Sequence, residues 1–497
     1  AAARAKFCGF GMVLIHGGHG WFLSQFLSPL LNTRKDRWGG SLENRMRLPL
    51  AIIENIRKKC GPRFPIEFRM SVSEGNEQGY GPEEGVRIAK KLDGKVDLIH
   101  ASAGNHEVRD AFVVTHPSLF MPDGVNAWLA AEVKKNVKTP VATVGAFTEP
   151  ELMEEILATG KADVVEVARG LISDPDLPAK ARAGKTDDIT RCLRCFTCFS
   201  YLLTNQQLCC AVNPEIGAEY ETKFMIPPPA ASKKVLVAGG GIGGMQAALT
   251  AAARGHQVIL AEKTNRLGGV LRCEENVPFK DHLDAYLNQQ ERRVRENPAI
   301  ELRLCQEVTP AFVREIDPEV VIAALGARPV KPPIPGIDGE NVLGAEDAYL
   351  HPEKTGAKVV ILGAGFVGTE LGLYLKGLGK EVEILEMLPE INHAGNMLHG
   401  LAVDVRLREV GVPVHYSTKA AEITKKGVVG ETADGKKKKY DADTVLYAVG
   451  QQPLWDEAEA LSATAPEFYQ IGDCVSPKNI REATKSAYFI ASNIGRV

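Results

Sequence analysis

Two histidines and a tryptophan stand close together near the start of the chain. Residues 15–29 read IHGGHGWFLSQFLSP, which places His16 and His19 three residues apart and Trp21 two residues further on. Imidazoles at this spacing suit metal ligation, hydrogen bonding to a substrate, or ordinary packing. No third metal ligand lies nearby in the sequence, so the spacing favours hydrogen bonding over metal binding.

A second group with chemical potential is a cysteine cluster. Five of the ten cysteines fall within residues 192–210, in the pattern Cys192-x2-Cys195-x2-Cys198-x11-Cys210. Four thiolates can hold zinc or an iron–sulfur cluster, and Cys209 is an alternative fourth ligand. Clustered cysteines favour a metal site in a reducing cytoplasm over the disulfide framework of a secreted protein.

A glycine motif occurs twice in the second half of the chain. The segment KKVLVAGGGIGG…VILAEK begins at Lys233, and AKVVILGAGFVG…VEILEM begins at Ala357. Each copy combines an apolar strand, three spaced glycines, a helix and a later acid: Gly239, Gly241, Gly244 and Glu262, then Gly363, Gly365, Gly368 and Glu386. Such glycines bring a pyrophosphate to a helix N-terminus, and the acid accepts hydrogen bonds from a ribose. The repeat therefore predicts two dinucleotide-binding units.

The histidines belong to a region of alternating strands and helices. Apolar, β-branched segments predict strands at residues 11–16, 66–71, 96–102, 140–145 and 162–170, and an amphipathic pattern predicts a helix over 41–61. Strands separated by single helices indicate a parallel sheet. Five strands suit either part of an eight-stranded barrel or an open doubly wound sheet. A proline-rich linker is predicted at 223–234.

Composition excludes several function classes. The 497 residues are 44% hydrophobic and carry a formal net charge of −3, which offers no basic field for nucleic acid or an anionic membrane. No apolar run reaches the roughly 18 residues that span a bilayer, and no export signal is visible, so a cytoplasmic protein is expected. The lysine run at 436–439 follows Asp434-Gly435 and predicts a solvated hairpin.

One long segment resembles a known family. HGGHGWFLSQFLSPLLNTRKDRWGGSLENRMR resembles the Old Yellow Enzyme barrel family. With CLRC…CAVNP and the two repeats, the whole chain is similar to the group of 2,4-dienoyl-CoA reductase, 2-enoate reductase and trimethylamine dehydrogenase. The resemblance implies that residues 1–185 are strands four to eight of an FMN-binding (β/α)8 barrel. It also implies that the sequence is a fragment of a longer chain, without strands one to three.

The same resemblance implies the remaining domains. A 4Fe–4S segment with the linker would occupy 186–232, an FAD domain 233–350 and 442–497, and an inserted NAD(P) domain 351–441. Gly268-Gly269, ALGARP and YQIGDC follow the first repeat, as in flavoprotein reductases with two dinucleotide domains, and imply FAD contacts at Gly269, Gly326, Gly472 and Asp473. In the second repeat, Glu386 would repel a 2′-phosphate and no arginine follows closely, which favours NADH over NADPH.

The resemblance also assigns roles in the barrel. Arg69 matches an arginine near the FMN ring, and phosphate contacts match Gly145, Ala168, Arg169 and Gly170. His16 and His19 match the pair that polarises a substrate carbonyl, and His106 matches a histidine that assists a proton-donating tyrosine. Trp21 stands where that tyrosine stands, but an indole cannot act as an acid near neutral pH. His106 is therefore the expected proton donor.

The expected activity is NAD(P)H-dependent reduction of an activated C=C in an enoate, enone or enoyl-CoA. Electrons would pass from NAD(P)H to FAD, to a 4Fe–4S cluster on Cys192, Cys195, Cys198 and Cys210, to FMN and to this small-molecule substrate. A homo-oligomer is compatible with this reading. One alternative is oxidative demethylation of an amine, as in trimethylamine dehydrogenase, which shares the C-x2-C-x2-C spacing but has a tyrosine at His16 and a strand-six aspartate. Another is an NADH-oxidising module whose barrel no longer binds FMN.

Overall fold

The computed structural model describes residues 1–496, which divide into two compact units. The first unit comprises residues 1–171 and 175–189, and the second comprises 172–174 and the chain from Thr190 onward. The first unit thus extends to Ile189, beyond the predicted limit of 185. Within the described residues, no helix is both long and apolar enough to cross a lipid bilayer.

The first unit is built on one parallel sheet whose strands follow chain order. The strands are β1 (Val13–His16), β2 (Ile66–Ser73), β3 (Leu98–Ala103), β4 (Val141–Val144) and β5 (Val164–Glu166). The helices are α1 (Ala2–Phe7), α2 (Phe22–Leu27), α3 (Leu42–Cys60), α4 (Pro82–Leu92), α5 (Ala111–Thr115), α6 (Ala127–Lys134), α7 (Pro150–Ala158), α8 (Arg169–Ser173) and α9 (Leu177–Arg182). Five adjacent parallel strands with helical connections are the arrangement of consecutive strands in a (β/α)8 barrel.

The two faces of this sheet differ in chemistry. Ile15, Phe68 and Ile99 point to one side and join the apolar core formed with the helices. Their neighbours along the strands, which include His16, Arg69 and His100, lie in register on the other side. Alternation therefore gives the sheet one apolar face and one polar face, and the polar face carries the groups with chemical potential.

Helix α3 shows how the sequence sets these elements. Ser41 caps its first turn by accepting a hydrogen bond from the Asn44 amide at 3.4 Å, and Gly61 ends it with φ +89°. Leu42, Met46 and Ile53 are buried along one face of the helix. The predicted helix is thus confirmed to within a residue. The predicted strand over 162–170 is shorter than expected, because the chain turns after Glu166 and α8 begins at Arg169.

The second unit begins with the cysteine segment and the sheet of the first repeat. Helix α10 (Thr197–Leu203) lies within the cysteine segment. The sheet is parallel in the order β20, β9, β6, β7, β8, formed by β6 (Lys234–Ala238), β7 (Gln257–Ala261), β8 (Ile300–Arg303), β9 (Val320–Ala323) and β20 (Glu467–Gln470). Its helices are α11 (Ile242–Ala253), α12 (Asp281–Glu296), α13 (Pro310–Ile316), α17 (Trp455–Glu459) and α18 (Ile480–Asn493).

The second repeat has a sheet of its own. Its strands, in the order β11, β18, β12, β13, β14, are β11 (Val342–Gly344), β12 (Lys358–Leu362), β13 (Glu381–Leu385), β14 (Val414–His415) and β18 (Thr444–Tyr447). Its helices are α14 (Ala345–Leu350), α15 (Phe366–Gly377) and α16 (Met397–Val410). β11 and β18, which lie outside the range 351–441 predicted for the insertion, pair beside β12 in this sheet, and the domain bounds stay a prediction.

Two small antiparallel elements complete the second unit. β10 (Ala327–Pro329) pairs with β19 (Gln451–Pro453) where the chain leaves and re-enters the first repeat. A meander is formed by β15 (Thr418–Thr424), β16 (Gly427–Thr432) and β17 (Lys437–Asp441). The turn between β16 and β17 contains Gly435 at φ +79°, which confirms the hairpin predicted before the lysine run.

Candidate functional site

The histidine loop leaves β1 at the carboxyl end of the parallel sheet. Glycines allow this loop to lie against the neighbouring strands: a Cβ at Gly18 would come within 2.8 Å of the Ser71 amide, and one at Gly20 within 2.5 Å of Asn105 Oδ1. The His106 amide donates to the His19 carbonyl at 3.0 Å, which ties the loop after β3 to it. The glycines that follow each histidine are thus required by close packing, at the end of the sheet where such folds place their chemistry.

The two imidazoles of this loop are neighbours. Their ring centres are 5.0 Å apart, and His16 is half-buried while His19 is buried. His19 has φ +65°, a strained conformation for a non-glycine residue, and its amide donates to Ser71 Oγ at 3.0 Å. His19 Nε2 lies 2.8 Å from Ser102 Oγ. Hydrogen bonds to β2 and β3 therefore fix the position of the His19 ring.

Both rings are neutral near pH 7. Burial, and after it the positive charge of Arg69, lower the pKa of His16 to about 4. The same two causes lower the pKa of His19 still further. A neutral imidazole keeps one N–H for donation and one lone pair. The pair can therefore donate hydrogen bonds to an oxygen without carrying charge before a substrate arrives.

Arg69 faces the histidine pair from β2. Its guanidinium is mostly buried, and this burial lowers its pKa against the opposing charges of Glu166 and Glu67. Nη2 donates to Ser102 Oγ at 3.4 Å, whereas Nε has no partner among residues 1–496. An unpaired buried donor is costly, so a polar acceptor from a bound group fits this position.

A buried Glu–His–Glu group lies beside Arg69. His100 Nδ1 is 2.7 Å from Glu67 Oε1 and 3.0 Å from Glu166 Oε1, and the three ligand atoms lie within 4.8 Å of one another. Such a set could hold a divalent ion. His100 Nδ1 hydrogen-bonds to Glu67 and lies at ion-pair distance from Glu166, whose pKa is lowered because the interaction with His100 outweighs the burial of the carboxyl group. The group therefore supplies counter-charge to Arg69.

His106 and Trp21 close the other side of the cluster. Trp21 is 55% exposed, and its ring meets His106 edge-on at 5.2 Å. His106 stacks on His19 at 5.8 Å between ring centres, and its Nε2 lies 3.0 Å from His116 Nε2. We call His16, His19, Arg69, His106 and His116 the histidine site.

Sequence reasoning missed part of this cluster. His116 follows α5 in the apolar stretch AFVVTHPSLF, where no spacing relates it to His106. His100 and Ser102 could have been found, because alternate residues of β3 face the same side as Arg69. The predicted residues His16, His19, Trp21, Arg69 and His106 all lie together; their roles remain proposals.

The predicted phosphate contacts lie at the ends of β4 and β5. A Cβ at Gly145 would come within 3.0 Å of the Asn126 amide, and one at Gly170 within 2.9 Å of the Phe147 carbonyl. Ala168 directly precedes α8, and Arg169 donates to the Pro117 carbonyl at 2.8 Å. Close packing therefore requires glycine at both positions. Without side chains, Gly145 and Gly170 leave room for an anion to approach the backbone.

The first-repeat glycines form the tight turn that a dinucleotide needs. Gly239 has φ +106°, and a Cβ at Gly244 would lie 1.8 Å from the Gly239 carbonyl oxygen. At Gly241, which precedes α11, a Cβ would meet only the Gly269 Cα, at 4.0 Å. The turn therefore fits a pyrophosphate: the first and third glycines are demanded by the fold, and the second leaves open space.

The second repeat reproduces this geometry. Gly363 also has φ +106°, and a Cβ at Gly368 would lie 2.1 Å from the Gly363 carbonyl oxygen. A Cβ at Gly365, directly before α15, would have no heavy atom within 4 Å. The two turns therefore have the same geometry, and each fits the pyrophosphate of a dinucleotide.

The acids of the two repeats are held in the same way. Glu262 is buried, and its oxygens accept from the Gly240 amide at 2.7 Å and the Thr264 amide at 2.8 Å. Glu386 is buried, and accepts from the Ala364 amide at 2.6 Å and the Leu388 amide at 2.9 Å. Each carboxylate is fixed beside its glycine turn, with further lone pairs for a ribose hydroxyl.

The remaining predicted FAD contacts are three glycines with left-handed backbone and one half-buried acid. Gly269, Gly326 and Gly472 have φ of +60°, +81° and +66°, and Gly268 forms a backbone bridge with Gly241. Burial raises the pKa of Asp473, whose Oδ1 accepts from the Lys478 amide at 3.4 Å. Gly268-Gly269 therefore lies against the glycine turn of the first repeat. This position is compatible with both segments contacting one dinucleotide.

A buried ionic network joins the two repeats and was not foreseen from the sequence. Lys280 Nζ lies 2.6 Å from Glu274 Oε1 and 2.5 Å from Glu370 Oε2, and His399 Nε2 lies 2.6 Å from Glu370 Oε1. Glu370 is on α15, and the ring of His399 packs on Phe366 at 4.6 Å. Because breaking such a buried pair leaves an unpaired charge, the network holds the two repeats in one arrangement.

The cysteine segment is held by both repeats. His282 on α12 bonds to the Cys192 carbonyl at 2.8 Å, and Asn396 before α16 donates to the Cys195 carbonyl at 2.7 Å. Arg194 and Phe196, on either side of Cys195, have left-handed φ of +54° and +58°. This strained backbone is the kind that a bound metal centre stabilises.

The structure distinguishes the two adjacent cysteines. Burial, and then the nearby Cys195 and Cys192 thiols, raise the pKa of Cys210. Burial and Cys195 also raise the pKa of Cys209, but the charge of Arg481 opposes this rise, and Cys209 Sγ lies 4.0 Å from the Thr197 carbonyl. Crowded, desolvated thiolates need a compensating cation, so Cys192, Cys195 and Cys210 fit a metal centre, and Cys210 remains the proposed fourth ligand.

Comparison with known proteins is consistent with this arrangement. Residues 1–188 match the NADH:flavin oxidoreductase / NADH oxidase family, and residues 233–487 match pyridine nucleotide-disulphide oxidoreductases. The chain is a member of the NADH:flavin oxidoreductase / NADH oxidase family. It is therefore an α/β oxidoreductase with an FMN-type barrel region and an FAD/NAD-type region, which confirms the expected fold class and family.

Similar proteins cover almost the whole chain. It is 37% identical to an NADH oxidase of Thermoanaerobacter brockii and 33% identical to a cinnamate reductase of Clostridium sporogenes, over 99% of this chain and 76% of each relative. A structure of 2-naphthoyl-CoA reductase with 2-naphthoyl-CoA superposes with a TM-score of 0.92 at 32% identity, over 99% of this chain and 75% of that one. Relatives named as amine dehydrogenases are 28% identical or less.

Proposed function

We propose that this protein reduces an activated C=C, in an enoate, an enone or an enoyl-CoA, with NAD(P)H as the reductant. The observation that carries the proposal is the pair of neutral imidazoles, His16 and His19, beside the buried guanidinium of Arg69. The names of the cinnamate and 2-naphthoyl-CoA reductases support the same substrate class.

The histidine pair would bind the carbonyl oxygen next to the double bond. As the β-carbon receives hydride, negative charge develops on that oxygen, and preorganised N–H donors stabilise it. His19 is held by Ser102 and Ser71, so little reorganisation is needed when the substrate arrives. Neutral rings suit this role, because they donate without a competing charge of their own.

His106 would deliver the proton to the other carbon. Trp21 lies in contact with it, but an indole N–H is not an acid near neutral pH. An imidazole titrates in the useful range, although burial and then Arg69 lower the pKa of His106. Trp21 would therefore form an aromatic wall of the substrate pocket.

The cofactors are assigned to sites that fit them. FMN would be held by Arg69, Gly145, Ala168, Arg169 and Gly170; FAD by Gly239, Gly241, Gly244, Glu262, Gly269, Gly326, Gly472 and Asp473; and NADH by Gly363, Gly365, Gly368 and Glu386. Glu386 disfavours the 2′-phosphate of NADPH by like charge. When bound, these groups supply the electrons and the hydride that one carbon of the substrate receives.

We assign a 4Fe–4S cluster to Cys192, Cys195, Cys198 and Cys210, because such a cluster carries single electrons between flavins and zinc does not. Iron and labile sulfide should be found in the purified protein. Cys210→Ala should lose both, whereas Cys209→Ala should retain them. Zinc without iron would contradict the assignment.

Amine demethylation is the second candidate, supported by the C-x2-C-x2-C spacing and by the less similar amine dehydrogenases. His16 replaces the tyrosine of that chemistry, and strand β3 ends in HASA without the aspartate.

We also place the enzyme in the cytoplasm, with a small-molecule substrate and neither nucleic acid nor membrane as a partner. A homo-oligomer is compatible with this.

The decisive experiment is an anaerobic NADH titration of the protein loaded with its flavins. An enone, an enoate or an enoyl-CoA should re-oxidise the reduced protein, and His106→Ala should slow this step about 10²–10⁴-fold without changing reduction by NADH. His351→Ala, which changes an exposed histidine of the second unit, is the matched control. Reduction of the protein by a methylated amine, with no re-oxidation by any alkene, would overturn the proposal.

A further inference from the structure

His116 is the one member of the histidine site that the mechanism above does not use. It directly follows α5 and is half-buried, with its ring stacked on that of His106 at 5.1 Å between centres. Phe112 packs against both rings, at 4.5 Å from His106 and 5.1 Å from His116. Packing therefore holds the two imidazoles in a fixed mutual orientation.

The contact between the two rings restricts where protons can be. The Nε2 atoms of His106 and His116 are 3.0 Å apart, which is hydrogen-bonding distance. Two protonated nitrogens or two lone pairs would repel, so one proton lies between these atoms. When His106 is protonated on both nitrogens, its Nε2–H donates to a neutral His116.

The other nitrogen of His106 is available for chemistry. Its Nδ1 makes no hydrogen bond with residues 1–496 and is not enclosed by protein. Trp21 meets the His106 ring edge-on and His19 stacks beside that ring, so both contacts hold His106 in the histidine site. The free Nδ1–H is thus the group that can reach a substrate carbon.

We propose that His116 is a positioning residue: it accepts the Nε2–H of protonated His106 and so keeps the His106 Nδ1–H available for transfer to the substrate. The inference rests on the proposed function. Overall, the alkene, NADH and one proton give the saturated product and NAD⁺. The His106 Nδ1–H bond breaks as a C–H bond forms at the carbon that does not receive hydride. The Nε2–H remains between the rings, and Nδ1 regains a proton from water.

Electrostatics places the extra proton on His106. Burial, then the charges of His106, Arg169 and Arg69, lower the pKa of His116 to about 3. Only burial and the charge of Arg69 are found to lower the pKa of His106. His106 is therefore the easier ring to protonate, and an acceptor at Nε2 offsets part of the cost of charging it.

The test replaces His116 and follows the two half-reactions of the loaded, full-length protein. His116→Phe should slow re-oxidation by the alkene about tenfold and shift its apparent pKa to a lower pH, with reduction by NADH unchanged. His116→Gln retains an acceptor and should recover most of the rate. Phe112→Leu keeps an apolar side chain against both rings and leaves the hydrogen bond between the Nε2 atoms in place, and should stay within about threefold of the unmodified protein.

A second readout does not depend on turnover. In the unmodified protein, histidine ¹⁵N spectra should show an Nε2 of the His106–His116 pair sharing a proton, and His106 should titrate at a lower pH in His116→Phe. An unchanged His106 titration, or a His116→Phe variant with an unchanged pH profile, would overturn the inference. If no alkene re-oxidises the protein, the proposed function fails, while the spectra of the unmodified protein still decide whether the rings share a proton.

Discussion

In the two dinucleotide repeats, backbone atoms make the contacts that shape the site, whereas side chains make them in the histidine site. Gly244 and Gly368 each face the carbonyl oxygen of the glycine that begins the turn, and Glu262 and Glu386 each accept two backbone amides. His19, in contrast, depends on Ser102, and His106 on His116.

The difference shows how each kind of site responds to change. A turn made by backbone needs particular residue types at fixed spacing, so it repeats with the same φ of +106° at Gly239 and Gly363. A cluster made by side chains depends on protonation and on supporting hydroxyl groups, which come from distant parts of the chain. Steric substitutions should therefore test the repeats, and changes of charge or donor should test the histidine site.

The largest effect is expected for Gly368→Ala in the second repeat. A Cβ there would lie 2.1 Å from the Gly363 carbonyl oxygen, so the turn must open at a cost of about 3 kcal/mol or more. Reduction by NADH should be lost, and thermal unfolding should occur at a lower temperature.

Gly365→Ala provides the matched control, because its Cβ would meet no heavy atom within 4 Å and its φ is −73°. It should keep its thermal stability but bind NADH about tenfold more weakly, since the methyl group lies where the pyrophosphate approaches. Equal NADH affinity in Gly365→Ala and the unmodified protein would show that no dinucleotide contacts this turn.

Predictability from the sequence follows the same division. The five strands of the first sheet, the helix capped by Ser41 and both glycine turns could be predicted, because periodicity and fixed spacing encode them locally. Strands β11 and β18 could not be assigned to the second sheet, since their pairing with β12 joins distant segments.

Within the histidine site, His16, His19 and His106 could be named from sequence and resemblance. The position of Ser102 could also have been found, from the alternation along β3, but His116 could not, because only the packing of α5 brings it to the rings. The same applies to the network of Lys280, Glu370 and His399, whose members come from separate helices and loops. Residues that support a site through tertiary contacts are therefore difficult to predict from a single sequence.

The second prediction concerns the donor role of His16. His16→Ala removes an N–H donor at the developing negative charge, so re-oxidation by an enone should slow about 10²–10³-fold while reduction by NADH stays the same. His16→Asn retains an N–H donor and should lose less than about tenfold. Rapid-mixing measurements of flavin absorbance separate the two half-reactions. Equal rates for His16→Ala and the unmodified protein would remove His16 from carbonyl binding.

The smallest effect, on stability, follows from the lowered pKa of His16. Its pKa is about 4 in the folded protein and 6.5 when exposed, so the unfolded chain binds more protons between these pH values. This contribution is fully present above pH 6.5 and is lost as the pH falls towards 4. For a half-buried ring, about 1 kcal/mol should separate pH 7 from pH 5.

His16→Asn, which does not titrate, should reduce the loss of stability between pH 7 and pH 5 by that amount. Denaturant unfolding can be followed by tryptophan fluorescence, because Trp21, Trp38 and Trp128 belong to the first unit and Trp455 alone to the second. Gly365→Ala changes no titrating group and should keep the pH dependence of the unmodified protein. If His16→Asn shows the same pH dependence as the unmodified protein, burial does not lower the pKa of His16.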